Sequence, residues 1–125
     1  MGAPGERSAR VPAAPQPLAV ARVAVIGADL MLASRVTTAL DAAGHQVDQS
    51  GSLPDRLDGV DLIIADLDSV EPERLGSLEQ PVLGFYRHTD TATKERADAA
   101  GIELAVPRSR MVRELPELAD RLLAG

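Results

Sequence analysis

The sequence predicts an α/β fold built on a five-stranded, doubly wound parallel sheet, and three observations carry that prediction. From Arg22 onward, short continuous apolar runs alternate with stretches of helical spacing, as repeated strand–helix units do. The runs are apolar at successive positions, which suits strands covered on both faces. Phe85 and Tyr86 are the only aromatic residues, so the core is aliphatic, and Ala, Val, Leu and Ile surfaces pack closely in layered architectures. Alternating units joined by right-handed crossovers then give the strand order 2-1-3-4-5.

The elements follow in order. Val23 to Ile26 reads as the first buried strand. Asp29 caps a helix with Leu32, Val36, Leu40 and Ala43 on one face, and Gly44 supplies the left-handed residue that ends it. His45 to Gln49 is the second strand. Residues 52–58, interrupted by Pro54, hold at most two turns of a shortened second helix. Val60 to Ala65 is the third strand and finishes on Asp66. Residues 71–79 form a shortened third helix with Leu75 and Leu78 inward and Gly76 weakening it. Pro81 opens the fourth strand, residues 82–86, where a first strand residue need not donate to the ladder. Asp90 or Thr91 caps a fourth helix with Ala92, Ala97 and Ala100 inward, ending at Gly101. Ile102 to Val106 is the fifth strand. After Pro107 the fifth helix carries Met111, Val112, Leu115, Leu118, Ala119, Leu122 and Leu123, with a break expected before Pro116.

At 125 residues the chain suits one domain with one core. Residues 22–125 form that domain, and residues 1–21, with Pro4, Pro12, Pro15 and Pro17 among Ala and Gly, read as a flexible Pro/Ala-rich extension. The formal net charge is -6. Arg7, Arg10 and Arg22 against Glu6 make the first 22 residues net +2, leaving -8 for the rest. An acidic body without a basic stripe excludes nucleic acid as the expected partner. The absence of cysteine removes thiolate chemistry and disulfides and fits a reducing, cytoplasmic setting. No run approaches the roughly 18 apolar residues of a membrane span, and the N-terminal residues lack the apolar segment of a secretory signal.

In the predicted topology a ligand crevice lies at the carboxyl ends of strands one and three, at Gly27-Ala28 and at Asp66. Several stretches there and beyond carry a likeness: Val23-Ala24-Val25-Ile26 leading to Asp29-Leu30-Met31-Leu32, and the turn Ala42-Ala43-Gly44-His45-Gln46-Val47. Asp61 to Leu67, Pro81-Val82, and Ala99-Ala100-Gly101 leading to Val106-Pro107-Arg108 complete it. In this order and spacing, over residues 22–124, the chain resembles the response-regulator receiver domain of two-component signal transduction, a flavodoxin-like fold.

The resemblance implies a phosphoacceptor at Asp66, and it also exposes departures. Where receivers place two adjacent acids, this chain has Gly27 and Ala28. Tyr86 stands where a hydroxyl residue is expected at the end of strand four, and Arg108 where a lysine is expected. The acids matter because a carboxylate attacking a phosphoryl group must overcome like-charge repulsion. Mg²⁺, held by one or two carboxylates with phosphate and water, ordinarily relieves it. Asp29 lies one position too late and reads as a helix cap. The fork of Arg108 favours pairing with a carboxylate, which predicts an Asp66–Arg108 ion pair, and bulky Tyr86 is expected to fill the vacated space.

These readings point to a pseudo-receiver: a non-catalytic regulatory module without cofactor or metal, acting by protein–protein contacts. By analogy of fold, those contacts, with a protein partner or in a homodimer, use helix four, strand five and helix five. One alternative is a single-domain response regulator phosphorylated at Asp66 with Mg²⁺. Another is a small-anion or ligand-binding domain in which Asp68 and His88 join Gly27, Asp66 and Arg108 in the crevice. His45 lies far from that face, and two unclustered histidines make no metal motif. Ile26-Gly27-Ala28 opens like a dinucleotide turn, but Asp29 and Leu32 occupy the later glycine positions. Ser34 and Ser109 lack the context of a hydrolytic nucleophile.

Overall fold

The computed structural model describes residues 21–87 and 91–124. The expected N-terminal extension lies outside the described residues apart from Ala21. Among the described residues nine elements follow in order: β1 (Arg22–Ile26), α1 (Leu30–Ala42), β2 (Gln46–Ser50), β3 (Leu62–Asp66), α2 (Pro72–Gly76), β4 (Val82–Tyr86), α3 (Thr91–Ala100), β5 (Leu104–Pro107) and α4 (Arg108–Ala124).

All strands are parallel, in the order β2-β1-β3-β4-β5. This is the predicted 2-1-3-4-5 order, because each crossover returns the chain to the same end of the sheet. The register places Ile26 beside Ala65 and Asp66 beside Phe85, so the ends of β1, β3 and β4 meet on one rim.

Strand alternation divides the core into two clusters. On one face Val23, Val25, Leu62, Ile64, Leu83 and Phe85 pack against Leu32, Val36 and Leu40 of α1 and Met111, Leu115 and Leu118 of α4. On the other, Ala24, Ile26, Ile63, Ala65 and Tyr86 meet Leu75 of α2 and Ala97 of α3. Fully burying such an aliphatic side chain contributes about 1.5–3 kcal/mol, so these two layers hold the crevice's strands in place.

Helix ends behave as the residue types dictate. Asp29 accepts from Leu32 N–H at 2.8 Å and caps α1. Beyond the helix, Gly44 takes φ +92, the left-handed region that side chains avoid. The expected break before Pro116 is present: Glu114 leaves helical geometry at φ -114 and ψ 18, since proline cannot donate and crowds the preceding turn.

Three expectations need correction. Residues 52–58 form no helix. Pro54 interrupts the segment, and Leu53 and Leu57 pack against the α2/α3 face from an irregular chain. Ala92 is exposed, and Thr93 takes the inward position with Ala97. Ala43 is exposed because it already lies at the C-cap of α1.

Candidate functional site

The site is assembled from three chain segments at the carboxyl ends of the strands. Asp66 ends β3, Gly27 and Ala28 follow β1, and Arg108 opens α4 directly after Pro107.

Asp66 is half-buried, and its backbone and side chain organise the turn that follows. Its carboxylate Oδ1 accepts from Asp68 N–H at 2.8 Å. Its carbonyl accepts from Ser69 N–H at 3.0 Å and Val70 N–H at 2.9 Å. Burial pushes the Asp66 carboxyl above its ordinary range, and the nearby Asp68 and Asp29 charges act in the same direction. The Asp68 N–H and the Arg108 charge oppose the rise without cancelling it.

The turn folds onto Gly27. A Cβ placed there would stand 3.1 Å from Ser69 Cβ and 3.2 Å from Val70 Cγ2, with Asp66 Cβ next at 3.7 Å. Gly27 also adopts φ +78, where an L side chain costs roughly 1–2 kcal/mol. The position of the first missing acid is therefore closed by neighbours and by backbone conformation together. Ala28, at the second, is partly buried and packs on the α1/α4 core.

Two expectations about this crevice are overturned. Arg108 does not pair with Asp66. Its Nη2 donates to Asp29 Oδ2 at 2.9 Å, joining residues 79 apart. Asp29 is within reach because capping α1 already fixes its carboxylate, and the N-terminal end of α4 brings Arg108 opposite. Asp29 consequently sits below the usual carboxylate range, first through the Leu32 N–H and then through Arg108. Nor does Tyr86 fill the space beside Gly27. Tyr86 is buried in the α2/α3 cluster with Ala24, Ile26 and Ala65, and the atoms nearest a Cβ on Gly27 belong to Ser69, Val70 and Asp66 instead.

Asp68 is exposed and contributes its backbone N–H to Asp66. His88 lies outside the described residues. His45 sits at the opposite end of the sheet, where Nδ1 accepts from Ala21 N–H at 3.2 Å. Among the described residues, no three acidic or histidine side chains converge as a metal-binding group, and no helix is long and apolar enough to cross a membrane.

Sequence reasoning missed Ser69 and Val70, the residues that cover Gly27. Nothing in their local pattern signals a role, since it depends on the tight turn after β3. The role of Asp29 was half legible: its place before an apolar helix marks a cap, but its bond to Arg108 requires the fold.

The chemistry open to this crevice is narrow. One half-buried carboxylate remains for a cation, because both Asp29 oxygens are engaged. Mg²⁺ prefers octahedral oxygen coordination with one or two carboxylates, and the other acids whose charges act on Asp66 are the exposed Asp68 and the Arg108-paired Asp29.

No protein-family model and no curated protein matches the chain. Solved structures do. A response regulator from Thermotoga maritima aligns with TM-score 0.72 at 16% identity, covering 86% of this chain and 100% of its own. A response-regulator receiver domain from Clostridium thermocellum aligns with TM-score 0.72 at 13% identity, covering 84% and 95%. The chemotaxis protein CheY4 of Vibrio cholerae aligns with TM-score 0.68 at 19% identity, covering 84% and 100%. At these identities the likeness is one of fold: the chain has the receiver architecture.

Proposed function

We propose that this protein is a non-catalytic signalling module of receiver architecture, acting through protein–protein contacts without phosphorylation of Asp66. The observation that carries the reading is the closure of Gly27 beneath Ser69 and Val70. At Gly27, the first of the two acid positions, there is no carboxylate, and a side chain would press on Ser69 and Val70. The Asp29–Arg108 pair supports the same reading, since it engages Asp29, one of the acids near the mouth. The module works without metal or cofactor, in the cytoplasm, and away from nucleic acid and membrane.

Incubation of the full chain with acetyl phosphate and Mg²⁺, followed by intact-mass measurement, tests the proposal. No adduct is expected, and a stoichiometric phosphate on Asp66 would overturn it. That outcome would instead establish the rival reading, a single-domain response regulator, which draws support from the half-buried carboxylate at the end of β3.

The contact surface we assign is formed by α3, β5 and α4, facing a protein partner or a second copy. Arg110 and Arg113 both reach Glu114 beside the kink in α4, at 3.2 Å each. Arg113, the more exposed, presents a cation on this surface. Arg113→Glu should weaken partner capture or self-association, read by pull-down and by light scattering. Unchanged capture and unchanged mass would remove α4 from the interface.

A further inference from the structure

A groove of about 340 Å³ lies on the β2 side of β1, whereas Asp66 lies on the β3 side. Val25, Ala28, Leu30 and Ala33 give it an apolar wall, and Ser50 and Gly51 close the opposite side. Leu30 is 82% exposed and Met31 beside it 79%. A groove with adjoining exposed apolar side chains marks a surface that gains by being covered.

The position of Ala21 and the length of chain before it bear on what covers the groove. Ala21 N–H donates to His45 Nδ1, and Gln46 N–H donates to the Ala21 carbonyl at 2.9 Å. Both partners stand at the start of β2, which fixes Ala21 beside β2 at the amino end of the sheet. From there the groove is one strand length away, about 17 Å, and at most two strand spacings aside, about 10 Å. Leu18, three residues before Ala21, reaches only about 9 Å at about 3.1 Å per residue. The ten residues back to Val11 reach about 31 Å in the same conformation. Residues 11–14 therefore span the distance with slack.

Their chemistry fits the groove. Val11 is the one large apolar side chain of Val11-Pro12-Ala13-Ala14, and Pro12 with Pro15 reduces the conformational freedom lost on docking. Arg10 and Arg7 follow. Residues 1–20 carry net +1 from these two arginines and Glu6, against -7 in the remainder of the chain. The segment is thus opposite in charge to the rest of the chain.

We propose that residues 11–14 of this same chain seat in the groove between α1 and the end of β2, with Val11 against Leu30 and Ala33. The chain has no cysteine, so Ala13→Cys accepts a single nitroxide label in the full-length protein. Amide NMR signals of Leu30, Ala33 and Gly51 should lose most of their intensity relative to the reduced label, while those of α3 keep theirs. Val11→Asp in the labelled chain should restore the signals, and persistent loss would count against the seat assigned to Val11. Labelled chain without isotope, mixed with unlabelled isotopic chain, should leave the signals intact. Equal loss in that mixture would assign the groove to a second copy, and no localised loss would empty it; either result overturns the proposal.

Discussion

The two faces of the sheet are built by partly different means. Toward α1 and α4 the core is made of large side chains: Leu32, Leu40, Phe85, Met111, Leu115 and Leu118 are all essentially inaccessible to solvent. Toward α2 and α3, Ile26, Ile63 and Leu75 are buried as fully, but the packing also depends on side chains that are missing. Gly84 leaves room for Leu67, whose side-chain atoms would lie 2.7–2.9 Å from a Cβ there, and a Cβ on Gly76 would land on the Ala100 carbonyl oxygen. Both faces bury bulk, and the second adds close approaches that only glycine permits. The crevice lies where the two meet, and Gly27 beneath Ser69 and Val70 repeats the second strategy.

Truncation on the bulky face should have the largest effect. Leu115→Ala removes a side chain that is 2% exposed in the centre of α4, and buried Leu→Ala changes cost about 2–5 kcal/mol. Urea unfolding should show a matching fall in midpoint. A loss under about 1 kcal/mol would mean that α4 is loosely docked and that the face does not rely on bulk.

Addition on the other face should come next. Gly76→Ala inserts one methyl against a backbone oxygen that cannot rotate away, and overpacking of this kind costs about 1–3 kcal/mol. Alanine is also the better helix former by about 1 kcal/mol, so a net destabilisation would isolate the α2–α3 contact. A stabilised Gly76→Ala protein, measured by thermal unfolding, would erase the contrast between the faces.

The bulky face was the more legible one. Leu32, Val36 and Leu40, and then Met111, Leu115 and Leu118, recur at helical spacing, and amphipathic periodicity is a local property that survives without the fold. Pro116 likewise announces its break through its own covalent geometry. The α2/α3 face was legible in part: Leu75 and Ala97 read as inward and are buried there, but Gly76 reads only as a weak helix position until Ala100 is seen against it. The same limit applies at the crevice. Asp66 could be placed at a strand end from its apolar run, but the partner of Arg108 is 79 residues away in sequence, and the cover over Gly27 depends on a turn without a distinctive signature.

Gly27 tests whether the crevice belongs with the second strategy. Gly27→Asp restores an acid in name, yet the side chain must enter a left-handed backbone position and meet Ser69 and Val70. A destabilisation of roughly 1–2 kcal/mol is expected from the backbone term, with no phosphate adduct gained on incubation with acetyl phosphate and Mg²⁺. A stable, phosphorylated variant would show that the turn opens readily and that closure is no barrier.

Asp66 should give the smallest shift and the most informative sign. Burial raises its carboxyl above the ordinary value of 3.8, so the folded state favours the protonated form. A carboxyl raised in this way contributes stability that is fully present below its unfolded value and is lost as pH rises through the folded one. At neutral pH the ionised side chain is therefore a small net burden on the fold. Asp66→Asn removes the charge while its amide oxygen can still accept from Asp68 N–H. The variant should be modestly more stable than the parent at about pH 7, and the difference should shrink as the parent protonates toward about pH 4. Paired urea titrations at the two pH values measure this. An Asn variant less stable at neutral pH would mean that attraction to Arg108 outweighs burial, and the crevice would then be held by charge, unlike either face of the sheet that supports it.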